Sequence, residues 1–406
     1  MVQRVRNYIF LKDVLKLAVT CFGGPQAHIA HFQKLLVTER EYLTENDLNE
    51  LYALCQVLPG PTSTQTLTAI GYRLGGAGLA YLTLLVWALP AVIIMTTAGL
   101  LVTSFEKKQI SMEFTRFIQP MAVGFVGYAA YSISVKTVNT KLGLVLMVIA
   151  GVASYFIKTP FVFPITLLVA GVVTSFNYKA HPREEKKKFN IPWNNFLLWI
   201  GVLVFAGVLG AFTKKTPELL PVRLFENFYR NGSLAFGGGQ ALTPMLYTEF
   251  VQFAKPSPGE AERRPYMDNE EFLTGYALAQ SVPGPMFSFS SYIGTISMKR
   301  FGIGGQIIGA FICAAGIFLP GTFLIFFMIR VWESLKKFRP IRASLEGIFA
   351  ANSGLVAAAA IILFQPLENT FTNFGFTIGT FCLLAFSRMP SWSIILIGLL
   401  LGFVIK

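Results

Sequence analysis

The stretch Phe22-Gly23-Gly24-Pro25-Gln26-Ala27 returns as Phe236-Gly237-Gly238-Gly239-Gln240-Ala241. Further on, Tyr52-Ala53-Leu54-Cys55-Gln56-Val57-Leu58-Pro59-Gly60-Pro61 returns as Tyr276-Ala277-Leu278-Ala279-Gln280-Ser281-Val282-Pro283-Gly284-Pro285. A cation stands six residues before each first motif, Lys16 and Arg230. The register then settles at a shift of 230, with Leu89-Pro90 on Leu319-Pro320, Gly124 on Gly354, Lys158 on Arg388 and Pro160 on Pro390. Chance likeness among apolar residues does not hold one register across Pro, Gly and basic positions. The chain therefore reads as a duplication: a first repeat over 1–177, a basic linker with an unpaired span over 178–216, and a second repeat over 217–406.

The solvent of this duplication is lipid. Of 406 residues 53% are hydrophobic and 14% charged, with a mean hydropathy of +0.56, where a soluble domain carries roughly 25% charge. A typical cytosolic enzyme is excluded. Runs long enough to cross about 30 Å of hydrocarbon are expected at 79–104, 117–138, 194–212, 303–329 and 344–365. Shorter ones at 142–157, 160–177, 371–387 and 390–405 suit tight helical hairpins. The net charge of +13 does not point to nucleic acid, because the cations sit between apolar runs rather than among exposed aromatics. Arg4 and Arg6 precede an apolar stretch interrupted by Lys12, Asp13 and Lys16, which reads as a retained amphipathic helix rather than a signal peptide. Cys21, Cys55, Cys313 and Cys382 stand apart in apolar surroundings and read as buried thiols.

The cations also orient the repeats. Lys179, Arg183, Lys186, Lys187 and Lys188 close the first repeat, whereas Lys406 alone closes the second, whose basic loop is 330–342. The positive-inside rule puts 178–193 and 330–342 in the cytoplasm, which requires the second repeat to be inverted. One unpaired span between two even-numbered units has the same effect. The expected fold is all-α: a polytopic membrane protein of two inverted-topology repeats with broken, re-entrant or discontinuous helices, N-terminus inside and C-terminus outside. Secondary transporters are built this way, with substrate held near the midplane where the repeats meet.

Gly23-Gly24-Pro25, Pro59-Gly60-Pro61, Gly237-Gly238-Gly239 and Pro283-Gly284-Pro285 break otherwise apolar segments. Such breaks are tolerated at membrane depth only where the freed backbone faces protein or a polar cavity. Thr62, Ser63, Thr64, Gln65 and Thr66 follow one break and Ser288, Ser290 and Ser291 another, so half-helix N-termini with hydroxyl donors face the same region, a setting that suits an anion. The substrate-binding candidates are Lys16, Gly23, Gly24, Gln26, His28, Gln56, Gly60, Thr62, Ser63, Thr64, Arg230, Gly237, Gly238, Gln240, Gln280, Gly284 and Ser288. A tetrahedral oxyanion has the acceptor oxygens for them. His28 and His31 lack a third ligand at helical spacing, so no metal site is expected and no cofactor is called for. Arg73 and Lys299-Arg300 read as loop anchors. Glu50 and Glu346 are the acids nearest apolar runs and are weak proton-carrier candidates. No HExxH, GxSxG or P-loop is present, and Asp13, Asp47 and Asp268, the only aspartates, sit in or near polar stretches, so no enzyme is expected.

Phe22 to Ile29 together with Gln56 to Pro61, and their weaker second copies, closely resemble the chromate ion transporter family across nearly the whole chain. The resemblance implies multi-pass transport in the cell inner membrane, with chromate efflux and metal-oxyanion resistance as the role. Tyr42 stands where that family often has Trp. Export of chromate by alternating access of the two repeats is the expected function. The alternatives are transport of sulfate or a similar oxyanion, or a non-transporting membrane scaffold or binding subunit. The expected partners are the oxyanion and membrane lipid, not nucleic acid, and a homodimer is left open.

Overall fold

A computed structural model describes residues 2–157, 159–177, 193–212, 217–236, 242–252, 266–335, 338–387 and 389–404, and among them every regular element is helical. The helices are α1 (Val2–Thr20), α2 (Gly24–Phe32), α3 (Glu45–Val57), α4 (Thr62–Lys107), α5 (Ile118–Thr137), α6 (Lys141–Phe156), α7 (Val162–Ser175) and α8 (Asn194–Phe212). There follow α9 (Leu220–Leu234), α10 (Leu242–Tyr247), α11 (Asn269–Ser281), α12 (Phe289–Ser297), α13 (Gly302–Leu335), α14 (Arg339–Phe364), α15 (Phe371–Phe386) and α16 (Ser391–Val404). Among the described residues four stretches are long and apolar enough to cross a membrane: Thr62–Lys107, Glu113–Thr137, Lys299–Trp332 and Arg339–Phe364. Asn194–Gly210 of α8, expected among the full spans, falls with the shorter apolar helices. Large apolar side chains such as Phe156, Phe176 and Phe212 face outward. That is stable where the surroundings are hydrocarbon, in which helices satisfy every backbone polar group internally.

Local structure repeats along with sequence. Thr44 and Asp47 form a reciprocal capping box on α3, and Asp268 and Glu271 form the equivalent pair on α11. The Thr140 hydroxyl caps α6 and that of Thr370 caps α15, a shift of 230 that also maps Gly143 onto Asn373. Both α2 and α10 pass into π-helical turns, Gln33–Glu39 and Thr248–Gln252. Gly76 (φ 73, ψ −167) kinks α4, and Gly302 (φ 70, ψ −175) opens α13 with nearly the same dihedrals. The first repeat therefore carries in one kinked helix what the second divides between α12 and α13.

The chain packs as two compact units, one of Met1–Lys108, Ile191–Ser233 and Leu278–Arg330, the other of Gln109–Asn190, Leu234–Ala277 and Val331–Lys406. This division by packing cuts across the division by sequence similarity, since each unit takes segments from both copies. In the second unit α14 packs on α5, α6 and α7, and α15 packs on α5. A β-carbon on Gly124 would overlap the Thr377 carbonyl, and one on Gly354 would overlap that of Met147. Subtracting and adding 230 turns one pair into the other, which is the mark of a two-fold relation. Both positions need Gly because backbone meets backbone there. In the first unit α1, α2, α3 and α12 pack on α4, Tyr72 stacks on Phe326 at 4.9 Å, and Arg330 donates to the Tyr72 hydroxyl at 2.8 Å.

Three of the four cysteines are buried, but Cys382 is exposed on α15, because α15 turns that side outward.

Candidate functional site

The first unit holds the breaks at 21–24, 58–61 and 282–285. At Pro59-Gly60-Pro61 the chain leaves α3 extended and enters α4 with Gly60 at φ 116. A side chain is disfavoured there both by that dihedral and by space. A β-carbon would stand 2.9 Å from the Gln65 amide nitrogen and 3.4 Å from Gly321 Cα. The Gln65 amide donates to the Pro59 carbonyl at 2.7 Å and reaches the Gly321 carbonyl at 3.4 Å, so one side chain clamps the break onto α13.

Gln65 N–H donates to the Pro61 carbonyl at 2.8 Å, which leaves the N–H groups of Thr62, Ser63 and Thr64 without helical acceptors. All three side chains are buried. The Trp87 indole donates to Thr64 Oγ1 at 3.1 Å, and Ser63 Oγ lies 3.0 Å from His28 Nδ1. His28 is 1% exposed and meets the Trp87 ring edge-on at 5.3 Å. His28 Nε2, Thr62 Oγ1 and Gln65 Oε1 are buried without a partner, a costly arrangement for polar atoms in a closed interior.

The second break mirrors the first. Gly284 lies at φ 93. Its N–H donates to the Cys21 carbonyl at 2.8 Å, and a β-carbon on it would stand 3.2 Å from the Ala18 carbonyl oxygen and 3.3 Å from Ala91 Cβ. Ala91 is the counterpart of Gly321 at the shift of 230, so each break packs on the long helix of the other copy. A β-carbon on Gly24 (φ 81) would stand 3.5 Å from Met286 Sδ, so the third break lies against this one. Ser288, Ser290 and Ser291 are fully buried, and the hydroxyls of the last two have no partner. Buried side chains at these breaks are thus hydroxyls, an amide and an imidazole. With the N–H groups of the first turn of α4 that have no helical acceptor, they form a donor-rich, uncharged cluster of the kind that suits an anion.

The other candidates are distributed as follows. Lys16 is exposed on α1, Gly23 is exposed at φ 94, and Gln26 lies in the first turn of α2. Gln56 is exposed and Gln280 half-buried in the last turns of α3 and α11. Arg230 is held by Glu226 at 2.8 Å and Asn227 at 3.2 Å. Gly237, Gly238 and Gln240 lie outside the described residues. Arg73 pairs with Asp47 at 2.7 Å and Glu50 at 3.8 Å, Lys299 pairs with Glu106 at 3.0 Å, and Glu346 accepts from Thr140. Sequence reasoning missed Trp87. Its signal was position: Trp favours membrane interfaces, yet Trp87 stands deep in a long apolar run.

The chromate transporter family model matches residues 9–175 and 222–403. The chain belongs to the chromate transporter family. Residues 176–221 separate the two matched stretches. An uncharacterized transporter of Methanocaldococcus jannaschii is 25% identical over 398 residues, covering 96% of this chain and 92% of that protein. A probable chromate transport protein of Synechococcus elongatus is 26% identical over 395 residues, covering 96% and 93%. A chromate transport protein of Cupriavidus metallidurans is 26% identical over 357 residues, covering 86% and 80%. No solved structure matches the chain significantly. Family membership makes this a membrane transporter with a role in chromate transport; the family is one of transporters, not of enzymes. Burial at the breaks of this family member falls on hydroxyl, amide and imidazole groups.

Proposed function

We propose that this protein is a multi-pass secondary transporter of the cytoplasmic membrane that exports chromate by alternating access of two inverted repeats, with the oxyanion held at the breaks 58–61 and 282–285. The observation that carries the reading is the reciprocal packing of Gly60 on Gly321 and of Gly284 on Ala91. Gly321 and Ala91 follow Pro320 and Pro90, close to the middle of α13 and of the post-kink part of α4. If those helices cross the bilayer, the breaks sit near mid-depth, where transporters built from inverted repeats bind substrate. The inversion itself rests on the charge of the loops: 178–193 and 330–342 are the basic segments.

Gly23, Gly24 and His28 would flank the same site, while Lys16 and Arg230 raise local anion concentration and Gln56 and Gln280 line the approach; Gln26, Gly237, Gly238 and Gln240 remain candidates by sequence alone. Hydroxyl and backbone donors do not by themselves separate chromate from sulfate, which is the second substrate to test. The deciding experiment is uptake of chromate, sulfate and molybdate into liposomes carrying purified protein, with and without a proton gradient. Chromate movement that Ser63→Leu abolishes supports the reading. If no gradient drives movement of either chromate or sulfate, the transport mechanism is wrong. Cysteine labelling of the loops 178–193 and 330–342 from each side tests the inversion; opposite accessibility of the two would remove it.

A further inference from the structure

Although the two breaks share a backbone geometry, they share only part of their chemistry. Thr62, Ser63 and Gln65 of the first are matched by Met286, Phe287 and Phe289 of the second, and His28 by Leu242. Hydroxyls come from both copies, with Thr64 matched by Ser288 and Thr66 by Ser290, but the amide of Gln65 and the imidazole of His28 belong to the first copy alone, and His28 is the titratable group among these buried side chains. That imidazole is 1% exposed, Nδ1 is engaged by Ser63 at 3.0 Å, and Nε2 is buried without a partner. In either neutral tautomer one ring nitrogen carries both a burial cost and no compensating bond. An imidazolium would donate from both nitrogens, but a lone cation in so dry a place needs a counter-ion. An oxyanion seated at the first turn of α4 would be that counter-ion. His31, exposed three residues on, is the other titratable group on α2. His28 meets Ser63 and Trp87 of α4 and Phe32 of its own helix, none of which titrates near neutral pH.

We propose that His28 takes up a proton when the oxyanion binds and donates it from Nε2 to an oxygen of the bound dianion, so that anion and proton are bound together. No covalent bond changes; the proton comes from solvent and returns to it on release. The inference rests on the proposed anion site, and the test separates the two.

Chromate binding to the purified full-length protein is measured by calorimetry between about pH 7.5 and 9, where chromate is the dianion and an unperturbed His is mostly neutral, in two buffers of different ionisation enthalpy. Wild type should take up close to one proton per anion and lose affinity by up to about tenfold per pH unit. His31→Gln should behave as wild type. His28→Gln, which keeps one amide donor but cannot titrate, should still bind, several-fold more weakly, with proton uptake abolished and a flat pH profile. Chromate binding by wild type without proton uptake, or uptake that persists in His28→Gln, overturns the inference and leaves the anion site standing. Binding that survives Ser63→Leu unchanged, or no binding in wild type, overturns the site and the inference with it.

Discussion

Gly60 and Gly321 meet through their backbones, with the Gln65 amide bridging them by its bonds to the Pro59 and Gly321 carbonyls. No β-carbon fits on Gly60 without displacing that amide. At φ 116 an L-residue costs about 1–2 kcal/mol before any clash. Gly60→Leu should insert at normal levels and lose transport, and Gly60→Ala should retain a fraction of it. Chromate resistance of expressing cells, normalised to membrane protein level, measures both. Wild-type resistance in Gly60→Leu would show that the break does not serve substrate.

Trp87 ties the first turn of α4, next to the same break, to the part of that helix beyond the Gly76 kink through its indole bond to Thr64. Trp87→Phe preserves an apolar ring but leaves the Thr64 hydroxyl short of a buried donor, a loss of about 1–3 kcal/mol. The expected result is a lower melting temperature in detergent and reduced transport, with Trp87→Ala worse in both. An unchanged melting temperature in Trp87→Phe would mean that Thr64 finds another partner.

Tyr42 has a structural reason for its hydroxyl. It donates to the buried Asp13 at 2.8 Å, while Arg40 reaches the same carboxylate at 2.9 Å. Burial, followed by the bond to Asp13, pushes the Tyr42 phenol up to about 12, so it stays a protonated donor throughout the neutral range. Tyr42→Phe should destabilise by about 1–3 kcal/mol, and Tyr42→Trp, whose indole N–H is also a donor, should destabilise less. Thermal unfolding of the two variants gives the comparison; equal losses would dismiss the hydrogen bond as the cause.

The capping box of α3 should show in pH dependence. Bonds from the Thr44 hydroxyl and backbone, helped by Arg73, hold the Asp47 carboxyl below its ordinary value. A carboxylate depressed in the folded state stabilises above its unfolded pKa, near pH 4, and loses that contribution as pH falls through the folded value. Stability at pH 7 should therefore drop by about 1 kcal/mol in Thr44→Ala, and the difference from wild type should shrink on acidification below pH 4. A difference that grows on acidification would reverse the assignment.

Lys16 is exposed, two residues before the Ala18 carbonyl that borders Gly284. Lys16→Ala should raise the half-saturating chromate concentration about two- to fivefold at low salt, less at high salt, because an exposed charge acts through a screened field. A salt-independent effect would instead indicate direct contact.

Four of the five long spans and the Gly-Pro breaks were legible in the amino-acid order, because hydrophobic run length and backbone-incompatible residues act locally. The matched caps Thr140 and Thr370 follow from the repetition of the sequence. What only the tertiary structure decided was the crossing of the copies, in which each break seats on the other copy's long helix. Contacts between residues some 200 positions apart leave no local periodicity to read. It also decided which polar groups are buried: His28 and Ser63 are enclosed while Lys16 and Gln56 are exposed, although sequence distance from the breaks ranks them alike. Burial depends on what packs opposite, and Trp87, supplied by a helix that reads as an ordinary apolar span, is what packs opposite His28.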